Sequence, residues 1–306
     1  MNIVFMGTPD FAVPALERMI AAGFVPQVVV TRPDLPRGRG QKVGITPVKA
    51  VALAHHIPVL QPESVKAPSF IEALRQYEID VMVVVAYRIL PPEVYHQAKL
   101  GAFNLHGSLL PRYRGAAPIH RAVMAGDAET GVTTFFLRDK VDTGDMILFK
   151  RTPIGPNETT GDVHDRMMLL GAEAVVETLE RIAQGHVPSI PQDETLASPA
   201  PKIFMEDCAI CWDADAQTVH NQIRGLSPFP GAWTKWNGKL LKVYRSEVVD
   251  GSGVPGTVLH NQKNLHIACG SGAVALREVQ LEGRKRLTTE AFLSGAKPEI
   301  GTRLGD

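Results

Sequence analysis

Apolar and polar positions follow two different rhythms along this chain. In the first, Asn2-Ile3-Val4-Phe5-Met6 predicts a buried strand that ends at Gly7, and Thr8-Pro9-Asp10 makes the turn. Apolar residues at Phe11, Ala15, Leu16, Met19 and Ile20 fall at helical spacing, so a helix opens close to Phe11 and stops at Gly23. Pro9 suits a helix start, whereas Pro14 lies further in and leaves the first turn open to distortion. Val28-Val29-Val30 completes a β-α-β opening. Helices are expected over residues 46 to 57 and 68 to 77, with a short strand at Pro58-Val59-Leu60 between them. Residues 80 to 86 form the most apolar run of the chain, as expected of a central parallel strand covered on both faces. Further strands are predicted from Phe103 to His106, over 131 to 137 and over 146 to 150, then a long helix over 162 to 184.

The second rhythm starts after residues 186 to 203, which carry Pro188, Pro191, Pro199 and Pro201. A helix near 215 to 225 is followed by short strand signals at 232 to 236, 239 to 245, 256 to 259, 265 to 268 and 273 to 278. Turn signals such as Asn237-Gly238 separate them, and this spacing predicts a small barrel. The expected division is a domain over 1–187, a linker over 188–204 and a second domain over 205–306, which suits a chain of 306 residues.

Composition narrows the function. A formal net charge of zero argues against a whole-molecule attraction to nucleic acid, so any such contact must come from local patches. One candidate is the Gly/Pro-rich stretch 32 to 49, where Arg32, Arg37, Arg39, Lys42 and Lys49 face a single acid, Asp34. Its cations suit phosphate, the alternative being a solvated loop. Only Gly7 lies in the first β-α turn, so the G-x-G-x-x-G of a dinucleotide site is missing. Cys208 and Cys211 form a C-x-x-C without a second pair at finger spacing, which favours inert thiols over zinc or redox chemistry. Trp212, Trp233 and Trp236 all lie in the second half, as core residues or as stacking surfaces. No leader or membrane-spanning run is apparent, and a cytoplasmic location is expected.

Candidate chemistry concentrates in residues 101 to 122, GAFNLHGSLLPRYRGAAPIHRA. Alternation along Phe103-Asn104-Leu105-His106 puts an amide and an imidazole on one side of a strand that breaks at Gly107. A strand end of that kind is where an open α/β sheet places its ligands. Asp142, in the stretch Asp139 to Asp145, could supply the carboxylate that orients the ring. An amide donor, an acid/base and an orienter suit acyl transfer.

HGSLLPRYRGAAPIHRAVMAGDAETGVT followed by VDTGDMI resembles the signature of the folate-dependent formyltransferases, with the branch acting on methionyl-tRNA the nearest. GTPDFAVPAL at 7 to 16 and RGLSPFPGAW in the second half resemble the same family. The resemblance implies a Rossmann-like open parallel sheet followed by a smaller, OB-like barrel. It implies formyl transfer from 10-formyltetrahydrofolate to the amino group of methionyl initiator tRNA, without a metal, by a protein expected to be a monomer. It gives catalysis to Asn104, a protonated His106 and Asp142. The folate site would involve Tyr87, Arg88, Ile89 and Leu90 with Ser108, Leu109, Leu110 and Pro111, and Arg112 and Arg114 would meet phosphate or the folate glutamate. Arg88 stands where many members have Gly. The tRNA and its amino acid would meet Phe11, Arg37, Arg39 and Lys42, a core role being the alternative for Phe11. Two rival readings are a formyltransferase for a small amine (a sugar nucleotide or glycinamide ribonucleotide) and a non-catalytic RNA- or folate-binding protein. The basic loop and the second domain speak against the former, the three polar groups against the latter.

Overall fold

The structure, a computed structural model, describes residues 1–37 and 42–305. The chain forms two compact units, neither of them one continuous stretch. The first comprises Met1–Pro118, Gly131–Thr152 and His164–Ala200; the second comprises Ile119–Thr130, Pro153–Val163 and the chain from Pro201 onward.

The first unit is built on a seven-stranded sheet. Its strands are β1 (Ile3–Gly7), β2 (Val28–Val30), β5 (Val59–Leu60), β6 (Val81–Val85), β7 (Ala102–His106), β9 (Glu129–Phe136) and β10 (Met146–Pro153). A hairpin of β3 (Leu35–Arg37) and β4 (Lys42–Gly44) and a small parallel pair of β8 (Arg114–Gly115) and β11 (Pro199–Ala200) stand apart from it. The order is β10-β9-β7-β6-β1-β2-β5, parallel from β7 through β5, with β9 antiparallel to β7. The chain winds outward from β1 through β2 to β5, then returns to β6 on the other side of β1. That reversal opens a crevice at the carboxyl ends of β1 and β6.

The apolar runs explain the central strands. Every residue of β1 and β6 is buried, so each packs on both faces. On one face Val4, Met6, Met82 and Val84 pack with Phe70 and Leu74 of α3 (Pro68–Arg75) and Val94 of α4 (Pro92–Tyr95). The first helix, α1, spans Val13–Ala21 and so starts two residues later than its apolar spacing suggests. A single 3-10 turn, Asp10–Ala12, precedes it, and Pro14 then lies in the first turn, where a missing N–H costs nothing. α2 (Pro47–Ala54) has Pro47 at its start and Thr46 as cap, the hydroxyl accepting the Lys49 N–H at 3.1 Å.

The second unit holds α5 (Pro118–Met124, from Ile119 on), α7 (Ala216–Gly225) and α8 (Thr289–Gly295), while α6 (Thr160–Ala183) begins in it and continues in the first. Its six-stranded antiparallel sheet runs β12 (Ala232–Trp236), β13 (Lys239–Val249), β16 (Ala273–Leu281), β15 (Leu265–Ala268) and β14 (Val258–Asn261), with β17 (Leu287–Thr288) beside β16. The tryptophans serve the core. Trp212 is buried and donates its indole N–H to Thr234 Oγ1 at 3.1 Å, and Trp233 and Trp236 pack against the same cluster. Cys208 is fully buried among them while Cys211 is exposed.

Candidate active site

Both polar residues of the central motif sit at the carboxyl end of β7, between β6 and β9. Asn104 pairs in register with Val84 and with Phe135, and His106 with Thr133. His106 is 5% exposed, its ring edge-on to Phe135. Its Nε2 lies 2.8 Å from the Tyr113 carbonyl oxygen. A carbonyl only accepts, so Nε2 carries the hydrogen whatever the charge of the ring. That leaves Nδ1 facing Asp142, whose Oδ2 is 3.7 Å away. The same Oδ2 accepts the Gly115 N–H at 2.9 Å. The Asn104 side chain is part-exposed and makes no hydrogen bond to another described residue. Asn104, His106 and Asp142 are thus carried to one end of the sheet, with the side chains of His106 and Asp142 facing each other.

The loop that carries Asp142 is held from several sides. Asp142 has φ +56°, a left-handed conformation that Asp tolerates better than most residues. Gly144 follows because nothing larger fits: a Cβ there would lie 1.6 Å from the Phe136 carbonyl oxygen. At one end of the loop the Tyr95 hydroxyl donates to Asp139 at 2.6 Å, and burial together with that carboxylate pushes the phenol pKa up to about 12. At the other end Ser189 donates to Asp145 at 2.6 Å. Gln192 donates to the backbone carbonyls of Asp142 and Gly144.

The residues after His106 mostly shape the site from behind. Ser108 is fully buried, its hydroxyl donating to the Arg112 carbonyl and its own carbonyl accepting from Thr133 at 2.7 Å. Leu110 and Pro111 are buried too, so of the four expected folate neighbours in this turn only Leu109 keeps surface. At the end of β6, Ala86 adopts φ +47° and turns the chain outward. Ile89 is 73% exposed, and Leu90 is buried. The Tyr87 hydroxyl is buried with no partner among the described residues, and burial raises its pKa. Phe11, 9% exposed, packs on the His164 ring at 5.2 Å.

Two cations expected to meet ligands are engaged within the protein. The Arg114 guanidinium does not face an anion site: Gln192 Oε1 and the Glu194 carboxylate take its fork. Arg88 folds onto the backbone after β5, donating to the carbonyls of Pro62 and Glu63. Lys49, the last cation of the basic stretch, is ion-paired with Asp34 and bonded to Gln61. Arg37 and Lys42 are paired in register on the β3–β4 hairpin, and Arg39 lies outside the described residues. Tyr113, Gly115 and Gln192 were not singled out from the sequence. The first two act through backbone groups, and Gln192 sits in the Pro-rich stretch, where nothing marks one glutamine as special. Among the described residues, no three His, Cys, Asp or Glu side chains cluster in a way that could hold a metal, and no helix is long and apolar enough to cross a membrane.

An open sheet with this polar cluster at its carboxyl edge is the framework of formyl transferases, and the chain belongs to that family. The formyl transferase profile matches residues 1–179, and that of the formyl transferase C-terminal domain matches 202–297. Among its relatives, the methionyl-tRNA formyltransferase of Citrifermentans bemidjiense is 48% identical over 307 residues, covering 100% of this chain and 96% of that protein. The proteins of that name from Geobacter sulfurreducens and Bacteroides fragilis are each 46% identical, covering 100% and 96% of this chain and 97% and 95% of their own. Two solved structures share the fold. One is the N-formyltransferase from Helicobacter canadensis in complex with folinic acid and dTDP-3-aminofucose, with TM-score 0.68, 20% identity, and coverage of 90% of this chain and 98% of that one. The other is HypX from Aquifex aeolicus in complex with tetrahydrofolic acid, with TM-score 0.67, 19% identity, and coverage of 99% of this chain and 50% of that one.

Proposed function

We propose that this chain transfers a formyl group from 10-formyltetrahydrofolate to the free amino group of methionyl initiator tRNA. The observation that carries the reading is the meeting of the Asn104, His106 and Asp142 segments at one sheet edge, in a chain 48% identical from end to end to a methionyl-tRNA formyltransferase. The small-amine alternative draws on neighbours near 20% identity, which share the fold alone.

The residues present suit the folate donor. Ile89 offers an exposed apolar surface after β6, and the Tyr87 hydroxyl is a buried polar atom with no partner among the described residues. With Leu109 these residues form the folate-side wall, and Arg88, Leu90, Ser108, Leu110 and Pro111 support it. Bound there, the donor supplies a formyl carbon open to attack by a neutral amine.

As the amine nitrogen bonds to the formyl carbon, negative charge collects on the carbonyl oxygen. The Asn104 amide N–H groups, which have no partner among the described residues, serve as donors to it, and a positive His106 ring adds its charge beside them. One such donor, aimed where charge develops, lowers the barrier by about 3–4 kcal/mol. Asp142, facing Nδ1, stabilises a positive ring and takes the proton released by the amine, directly or through water. The bond from the formyl carbon to N10 then breaks, and the proton that Asp142 took passes to N10 as it leaves. A positioned acid/base contributes about 10²–10⁴-fold. On the acceptor side Phe11, against His164, forms the wall for the methionyl side chain, and Arg37, Arg39 and Lys42 meet the acceptor end.

The deciding test mixes the protein with labelled 10-formyltetrahydrofolate and, separately, methionyl initiator tRNA, free methionine and a dTDP-amino sugar. Label should pass to the charged tRNA; transfer to the amino sugar alone would overturn the reading.

A further inference from the structure

Residues 180 to 201 fall between the two family-matched segments, and a pure connecting role is the ordinary expectation for them. Their hydrogen bonds say otherwise. Gln192 spends both N–H bonds of its amide on the candidate site loop, at 2.9 Å to the Asp142 carbonyl and 2.8 Å to the Gly144 carbonyl. Its oxygen accepts from Arg114 Nε and Nη2 at 3.1 and 2.8 Å. The orientation of this amide is unambiguous, because backbone carbonyls only accept and a guanidinium only donates.

Arg114 is also the middle of three consecutive residues that each hold one part of the cluster. The Tyr113 carbonyl holds His106 Nε2, the Arg114 side chain holds Gln192, and the Gly115 N–H holds the Asp142 carboxylate. The triplet is itself fixed by the same stretch. Ser198 accepts the Tyr113 N–H on its hydroxyl and the Arg114 N–H on its carbonyl, and Pro199–Ala200 pair with Arg114–Gly115. Gly115 permits that approach: it has φ +127°, and a Cβ would lie 2.6 Å from the Ala200 carbonyl oxygen. A ring of bonds therefore runs from the Asp142 backbone through Gln192 and Arg114 to Gly115 and back to the Asp142 carboxylate.

We infer that Gln192 is a positioning residue for catalysis: bridging Arg114 to the Asp142 and Gly144 carbonyls, it sets the Asp142 carboxylate against His106 Nδ1. The inference rests on the proposed role of that pair in formyl transfer. At 3.7 Å the pair already stands beyond hydrogen-bond length, so the placement of the loop matters: a displacement of about 1 Å in a reacting constellation can cost about 10²-fold in rate.

The test compares formyl transfer by wild type, Gln192→Ala and Gln192→Glu, alone and combined with Asp142→Asn. Gln192→Glu keeps an acceptor for Arg114 but removes both donors to the loop. Each single Gln192 variant should lose about tenfold to a hundredfold in kcat, with KM for both substrates within about twofold. In the Asp142→Asn background the Gln192 change should cost less than about twofold, because the group it positions is already gone. A wild-type kcat in the single variants, an equal loss added on top of Asp142→Asn, or failure of both variants to fold would overturn the inference. Absence of formyl transfer by wild type would instead sink the functional reading itself.

Discussion

Asp142→Asn separates charge from shape at the candidate site. Asn keeps the volume, tolerates the left-handed backbone at φ +56°, and retains an oxygen to accept the Gly115 N–H. What disappears is the negative charge 3.7 Å from His106 Nδ1. Both side chains are largely shielded, 6% and 11% exposed, so water screens the pair poorly. Two unit charges about 4 Å apart interact by about 4 kcal/mol at an effective dielectric of about 20, which sets a ceiling of about 10³-fold on the rate effect. Part of that attraction is already present before the amine attacks, so the expected loss in kcat is about 10²- to 10³-fold. The assay is single-turnover formylation of methionyl-tRNA at saturating folate donor, with thermal unfolding as the control. A kcat within about threefold of wild type, in a variant that unfolds at the same temperature, would refute the assignment of Asp142.

Other expectations follow from separate parts of the molecule. Gly144→Ala drives a methyl group into the Phe136 carbonyl, so the Asp142 loop must move; stability should fall by about 1–3 kcal/mol in denaturant titration, with activity lost. His220 is buried, and burial holds its pKa below the ordinary 6.5, so the unfolded chain binds its proton more readily than the native one. The stability it contributes is therefore complete above pH 6.5 and declines as pH falls through the lowered native value; a His220→Gln variant should show a flatter fall in Tm with acid. Arg39→Ala should raise KM for methionyl-tRNA about tenfold at low salt while leaving kcat and the folate KM near wild type, and unchanged tRNA kinetics would show the loop to be plain surface.

Much of this architecture is legible in the residues because short-range physics dictates it. The apolar runs Ile3 to Met6 and Val81 to Val85 can only be strands covered on both faces, and alternation along Phe103 to His106 puts Asn104 and His106 together. Asp142 is placed with them by likeness to a family, since no local rule tells which carboxylate of Asp139, Asp142 and Asp145 points at the ring. The structure gives the other two to Tyr95 and Ser189. Cations misled for a physical reason. Arg114 carries the charge that suits phosphate, yet charge does not reveal whether a neighbour distant in sequence, here Glu194, already takes it. Gln192 was illegible altogether, because its partners are backbone carbonyls some fifty residues away. The β3–β4 hairpin and α5 were missed because both interrupt stretches whose glycines and prolines read as coil.

The discontinuity of the second unit bears on how the chain is made. Arg224 is 4% exposed and donates to the Gly155 and Glu158 carbonyls, and buried His220 reaches the Pro156 carbonyl. Thr160 in turn donates to the Gly225 carbonyl at 2.7 Å. A chain emerging from its amino terminus delivers 153–163 long before 220–225 exists, so these acceptors wait in water for their donors. A fragment starting at residue 201 would have the opposite fault, an interior guanidinium deprived of two partners worth about 1.5–3 kcal/mol each. Ribosomal order and native order thus disagree here, and the later half cannot ripen without a piece released early.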